Sequence, residues 1–151
     1  MGASDKASSS VFYTRKDTGL MRECILLFHF EPELLAKIRR ALLPLRFRIK
    51  TVDLAQYAQP LGVLAGVQDV SPADTIYEGE ELPGEMLVMA GLTDGRMDQL
   101  LTAFRKNGVG RIECKAVLTA TNQHWTPPAL YAELRREHEA MRQGTPVHER
   151  Q

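Results

Sequence analysis

The side chains best suited to chemistry crowd into one short stretch, Thr119, Thr121, Asn122, Gln123, His124, Trp125 and Thr126. They form a polar loop that leads into a helix, and a helix N-terminus offers free N–H groups and a favourable dipole to an anion. Trp125 could stack on a ring, and Asn122 could hydrogen-bond to it. The same residues have a purely structural use. Asn122 can tie a turn, Trp125 can staple to Leu130, Thr126 can cap, and Pro127 suits the first helical position. The spacing meets that structural use in full, so it is the stronger expectation. His29 follows one predicted strand and His124 another. An all-parallel sheet would bring both to the edge where ligands bind, whereas a ferredoxin-like sheet would send them to opposite ends.

The candidate ligand-binding residues are therefore Asn122, His124, Trp125, Thr126 and His29. No catalytic residue can be assigned, and no cofactor or metal is expected. His138 and His148 lack ligand spacing to the other histidines. His138 reads as a half-buried helix residue. The chain has no G-x-G-x-x-G, G-x-x-x-x-G-K-[ST], H-E-x-x-H or G-x-S-x-G motif. Cys24 and Cys114 are far apart, form no C-x-x-C, and read as buried thiols of a reducing compartment.

Arg39, Arg40, Arg46, Arg48 and Lys50 form the one basic concentration. RNA binding through the 46–50 strand would need stacking aromatics on the central strands, and only Phe28 stands there. Charge that protects an edge strand is the simpler reading. An acidic link at 67–85 could pair with this patch, within the chain or across a dimer. Lys plus Arg and Asp plus Glu are both 19, so the net charge is +0, which argues against a protein built to grip nucleic acid or anionic membrane. No apolar run approaches the roughly 20 residues of a membrane span, and the N-terminus lacks the apolar stretch of a signal peptide.

These residues need elements to position them. Residues 1–20 read as a flexible leader and 144–151 as a tail. Between them, 21–143 reads as one α/β domain. Strands at 24–30 and 86–92 are continuously apolar and so central. Strands at 47–54 and 111–118 alternate and so suit edges. Leu34, Leu35, Ile38, Ala41 and Leu42 make one stripe of a first helix that starts at Pro32. Thr93 caps a second helix that carries Met97, Leu100, Leu101 and Phe104. One or two helical turns are expected near Leu61, Gly62 and Leu64. A last helix runs from Pro127 to about Arg142, with Leu130, Tyr131, Leu134, His138 and Met141 on its apolar edge.

The plan of the chain repeats at a constant offset of 62 positions, so that Ile25 matches Leu87. The two units are 23–66 and 85–142, and each leaves an apolar face that the other can cover. Two sheets place the continuous strands inside. The preferred one is an α+β, ferredoxin-like two-layer sandwich in order 4-1-3-2, with the C-terminal helix added. The other is a small doubly wound parallel sheet in order 2-1-3-4.

Lys115-Ala116-Val117-Leu118-Thr119, then Asn122, Trp125-Thr126 and Glu137-His138-Glu139, resemble a bacterial family known only as a domain of unknown function. The strand and helix at 86–107 share that pattern. The first unit, with Leu61-Gly62 and Leu64-Ala65-Gly66, resembles the N-terminal half of longer members. The resemblance covers about residues 23–142, does not extend to the histidine at 124, and implies a bacterial cytoplasmic protein with no established activity. The expected function is a non-catalytic module that binds a small ligand or a protein partner, as a homodimer. Alternatives are an enzyme using the 122–126 loop and a weak RNA binder using the 46–50 strand.

Overall fold

The computed structural model describes residues 22–143, so the expected leader and tail lie outside the described residues. Four strands form one mixed sheet in the order β2-β1-β3-β4. They are β1 (Cys24–Phe28), β2 (Arg48–Thr51), β3 (Met86–Ala90) and β4 (Lys115–Val117). The longer helices are α1 (Pro32–Leu42), α3 (Asp94–Lys106) and α4 (Pro127–Arg142), with a short α2 at Leu61–Ala65.

The strand order corrects the ferredoxin-like expectation of 4-1-3-2. It matches the order of the doubly wound alternative but not its directions. β1 runs parallel to β2, β3 runs parallel to β4, and the two units meet through antiparallel pairing of β1 with β3. Continuously apolar strands reveal that they are central but not which way they point, because burial on both faces erases the alternation that would distinguish the arrangements.

Leu26 pairs with Val88, and these two positions are also 62 residues apart. A local two-fold axis therefore passes near this rung, normal to the sheet. A two-fold in that direction keeps both crossover helices on one side of the sheet. The core divides accordingly. Ile25, Leu27, Leu87 and Met89 face α1 and α3, with Ile38, Leu42, Leu100 and Phe104. Cys24, Leu26, Phe28, Met86, Val88 and Ala90 face the opposite layer, built by α2, the link and α4. The result has three layers rather than two. Every residue of β1 and β3 is buried.

The link at 67–85 has no regular structure but is packed as a strap. Val67, Val70 and Leu82 are buried. The Gln59 side chain acts as a surrogate strand partner: its Nε2 donates to the Ala73 carbonyl and its Oε1 accepts from the Ala73 N–H, both at 2.9 Å. Tyr77 N–H donates to the Ala55 carbonyl, and the Tyr57 ring lies between Phe28 and Tyr77, with centroids at 5.9 and 5.5 Å. The Tyr57 hydroxyl donates to Glu81 Oε2, which also accepts the Leu82 N–H.

The turns follow the same two-fold. His29 (φ 65°) and Gly91 (φ 77°) both follow a central strand, and Arg46 (φ 63°) and Gly108 (φ 74°) both lie in the turn that leads from a helix to a strand. Each pair is 62 positions apart. The left-handed backbone is thus a demand of the turn, met by glycine in the second unit and by strained residues in the first. His29→Gly should therefore leave stability unchanged or raise it by up to about 1 kcal/mol, because relief of strain offsets the added freedom of the unfolded chain. Gly108→Ala, where a Cβ meets nothing within 4 Å, should cost about 1 kcal/mol from conformation alone. Urea unfolding of the two variants checks both signs.

Candidate functional site

The 119–126 loop follows β4 and enters α4, and Asn122 and Gln123 turn inward. Asn122 is buried. Its Oδ1 accepts the Thr119 N–H at 2.8 Å, its Nδ2 donates to the Val117 carbonyl at 3.1 Å, and its own N–H donates to Thr119 Oγ1 at 3.0 Å. Asn122 thus spends its side chain on the loop's own backbone and closes the end of edge strand β4. A 3-10 turn at Asn122–His124 follows. Thr126 accepts the Ala129 N–H and caps α4, with Pro127 at the first helical position. Trp125 is half-buried against the same core cluster as Leu130.

The loop is also locked to the first unit. Leu61 N–H donates to the Trp125 carbonyl at 2.8 Å. A Cβ on Gly62 would lie 2.8 Å from Val70 Cγ2 and 3.1 Å from the Gln123 carbonyl oxygen. Glycine at 62 lets α2 press against the turn, and that contact fills the space in front of Asn122 and Gln123.

His124 is exposed on this loop, and its ring lies 3.5 Å from the Gln123 amide. His29 is exposed too but sits beyond Phe28, where β1 pairs with Met86. The 119–126 loop leaves the sheet where Leu118 N–H donates to Met89, at the other end of β3. The two histidines therefore lie at opposite ends of the sheet. The antiparallel β1–β3 pairing separates them, as the ferredoxin-like arrangement would have done and the parallel one would not. His29 instead lies near Glu31 and Glu85, and burial holds the Glu85 carboxyl above its usual range, with Glu31 adding to the rise and His29 opposing it.

Arg48 and Lys50 do not reach the acidic strap. Arg48 Nη2 donates to the Ala65 carbonyl at 3.1 Å and Lys50 Nζ to the Leu64 carbonyl at 3.4 Å, so they serve the negative C-terminal end of α2. Phe28 is fully buried and cannot stack on a base. Cys24 and Cys114 are free and buried. Burial raises both thiols above their ordinary range, against the opposing pull of Arg48 and Lys50 on Cys24 and of Arg135 on Cys114.

Two features escaped the sequence. Arg96 on α3 grips Glu23 with Nε at 2.8 Å and Nη2 at 3.0 Å, donates to the Leu45 carbonyl at 2.7 Å, and lies 4.2 Å over the Phe47 ring. One guanidinium thus ties the second unit to three points of the first. No spacing rule predicts partners 73 and 51 positions away. The second feature is a cleft of about 630 Å³ between the strap and α4. Tyr77, Leu82 and Pro83 form one wall, and Pro128, Tyr131 and Ala132 the other. Arg135 and Arg136 lie at its rim, where Arg135 pairs with Glu113 at 3.0 Å and Arg136 with Glu133. Its signal was present as a Tyr-and-Pro-containing link and a Tyr on α4, but nothing local says that they meet. His138 is half-buried, 3.8 Å from Glu113, whereas Met141 is exposed rather than part of the apolar edge of α4.

Asn122→Ala should cost about 1–3 kcal/mol, because the Val117 carbonyl and Thr119 N–H lose their partners. Gly62→Ala should also destabilise, since overpacking of about 1–3 kcal/mol outweighs a helix-propensity gain of at most about 1 kcal/mol. Thermal unfolding of the two variants measures both; an unchanged melting point would detach the loop from the architecture.

No group of three His, Cys, Asp or Glu side chains fit to hold a metal ion, and no helix long and apolar enough to cross a membrane, is found among the described residues. No curated protein and no solved structure matches the chain. Residues 85–141, which run from the residue before β3 through nearly all of α4, match the family model described as Domain of unknown function (DUF3783), for which no function is established.

Proposed function

We propose that this chain is a non-catalytic binding module of a reducing compartment, and that it takes a small ligand or a segment of a protein partner in the cleft between the strap and α4. The observation that carries this reading is the composition of that cleft. Tyrosine and proline walls face each other across about 630 Å³, with Arg135, Arg136, Glu80 and Glu139 among the polar side chains that line it. Ligand sites are commonly concave, apolar in the main, and ringed by a few oriented polar groups. The Tyr77 wall is held by its N–H bond to Ala55 and its hydroxyl bond to the Glu80 carbonyl at 2.9 Å. A wall fixed before binding lowers the ordering cost of a complex.

Two further points support a binding role over catalysis. Asn122 and Thr126 are occupied by backbone partners, and His29 and His124 cannot meet at one substrate. The buried, unpaired thiols Cys24 and Cys114 suit a cytoplasmic setting.

The reading is tested by titrating the full chain with a library of small aromatic and peptidic fragments, followed by backbone amide resonances. Shifts are expected to cluster on 77–83 and on the first half of α4. Ala132 is exposed on the cleft wall, so Ala132→Arg should block binding by about tenfold or more, equivalent to about 1.4 kcal/mol, while the melting point is kept. Shifts that cluster instead on 122–126, or binding that survives Ala132→Arg, would overturn the assignment.

A further inference from the structure

Among the described residues, Leu43 at 75% and Ile76 at 65% are the most exposed of the large hydrophobic side chains, and neither has a role in the core. Leu43 follows α1 and borders a groove of about 660 Å³ that includes Arg39, Pro44, Arg46, Phe47 and Ile49. The local two-fold shows that the fold does not require an apolar side chain there. The equivalent position, 62 residues later, is Arg105, in a groove of about 280 Å³ that also includes Phe104, Val109 and Lys115. One position of the pair carries a charged side chain that donates to Thr102 Oγ1 at 3.2 Å, and the other presents leucine to solvent.

Ile76 lies on the strap, on the far side of the sheet from α1. Its neighbours Asp74 and Glu78 are exposed. The backbone is held in place one residue later, by the Tyr77 N–H bond to Ala55 and the Tyr57–Tyr77 ring contact. The segment is thus a rigid apolar knob between two carboxylates, and the groove is an apolar hollow between two guanidinium groups.

Charge along the chain is segregated in the same sense. Residues 34–52 contain six Lys and Arg and no acid, whereas residues 53–95 contain eight Asp and Glu and no base. Among the described residues, no ion pair joins the two blocks within one molecule. The complementary surfaces therefore remain available to another molecule, and a net charge of +0 sets up no long-range repulsion between copies.

We propose that the groove at Leu43 receives the 74–78 segment of a second copy of this chain, with Ile76 seated against Leu43, Pro44 and Ile49, and Asp74 and Glu78 facing Arg39 and Arg46. Reciprocal contacts close a dimer, and one-sided contacts extend a chain of copies. This surface is separate from the cleft at α4, so its fate does not decide the ligand-site reading.

The test needs no ligand and uses the full chain: molar mass by light scattering against concentration, for the wild type and two double variants. Strap reversal is Asp74→Arg with Glu78→Arg, and groove reversal is Arg39→Glu with Arg46→Glu. The wild type should associate at low salt, with affinity falling about tenfold or more as salt rises from about 0.02 to about 0.5 M. Each double variant should be monomeric alone, with native circular dichroism, and an equimolar mixture of the two should associate again. That recovery cannot come from a variant that fails to fold. A wild-type monomer at every concentration and salt, or a mixture that stays monomeric, overturns the proposal. A monomer whose groove resonances shift instead on adding an oligonucleotide also overturns it, and assigns the groove to nucleic acid.

Discussion

The antiparallel pairing of β1 with β3 is the contact on which the rest of the architecture depends. Five rungs, from Cys24 against Ala90 to Phe28 against Met86, join two strands with no exposed residue. Once these strands run in opposite directions and each continues through a crossover helix into a parallel neighbour, the helices must share one side. The opposite side is then bare, and a hydrophobic sheet face cannot stay in water. The strap, α2 and α4 cover it. The layer that carries the cleft thus exists because the helix layer cannot reach around the sheet.

The halves β1–α1–β2 and β3–α3–β4 have the same order of elements but not the same set of contacts. Their central strands, helix starts and left-handed turns agree at the 62-residue offset, while β4 pairs at Lys115 where the plan alone would place residue 111. The second unit spends the additional residues on a longer α3 and a longer turn into β4. Departures from symmetry gather where one unit must hold the other. Arg96 has Leu34 as its counterpart in the first unit, and only the arginine reaches across to Glu23, Leu45 and Phe47. Gly62 and the 122–124 turn form a second junction with no symmetric copy.

Legibility in the sequence follows the range of the interaction. Thr93, Thr126 and Pro127 act within one helical turn, and the starts of α3 and α4 are read correctly from them. The apolar runs 25–28 and 86–90 mark the central strands because burial on both faces is written into each residue. Strand direction is not, because Leu26 is equally buried against a parallel or an antiparallel neighbour. The strap was legible as a long acidic link but not as a packed layer. Its anchors, Gln59, Tyr57 and Tyr77, are residues that single-position rules assign to a wet loop. Their buried roles arise only when residues 14–24 positions away supply partners. The candidate loop shows the converse. Its types and spacing fit both a ligand site and a capped turn, and only the directions of the Asn122 hydrogen bonds show the turn being made.

The segment that matches the family model contains β3, α3, β4 and nearly all of α4, but it lacks β1 and α2. Physically it is half a sheet. Without β1, the outer edge of β3 would present unpaired backbone groups beside five apolar side chains, an arrangement that invites pairing with another strand. Without α2, the Gln123 carbonyl and Leu130 would lose part of their cover. In this chain the first unit supplies both needs, and the Arg96 clamp fixes the two halves in register. The strap then follows as a consequence of the join: 20 residues separate the end of α2 from the start of β3, and that span crosses the bare sheet face. The cleft lies where this crossing segment meets α4, so a concave surface with a tyrosine on each wall is produced by joining the units and belongs to neither alone.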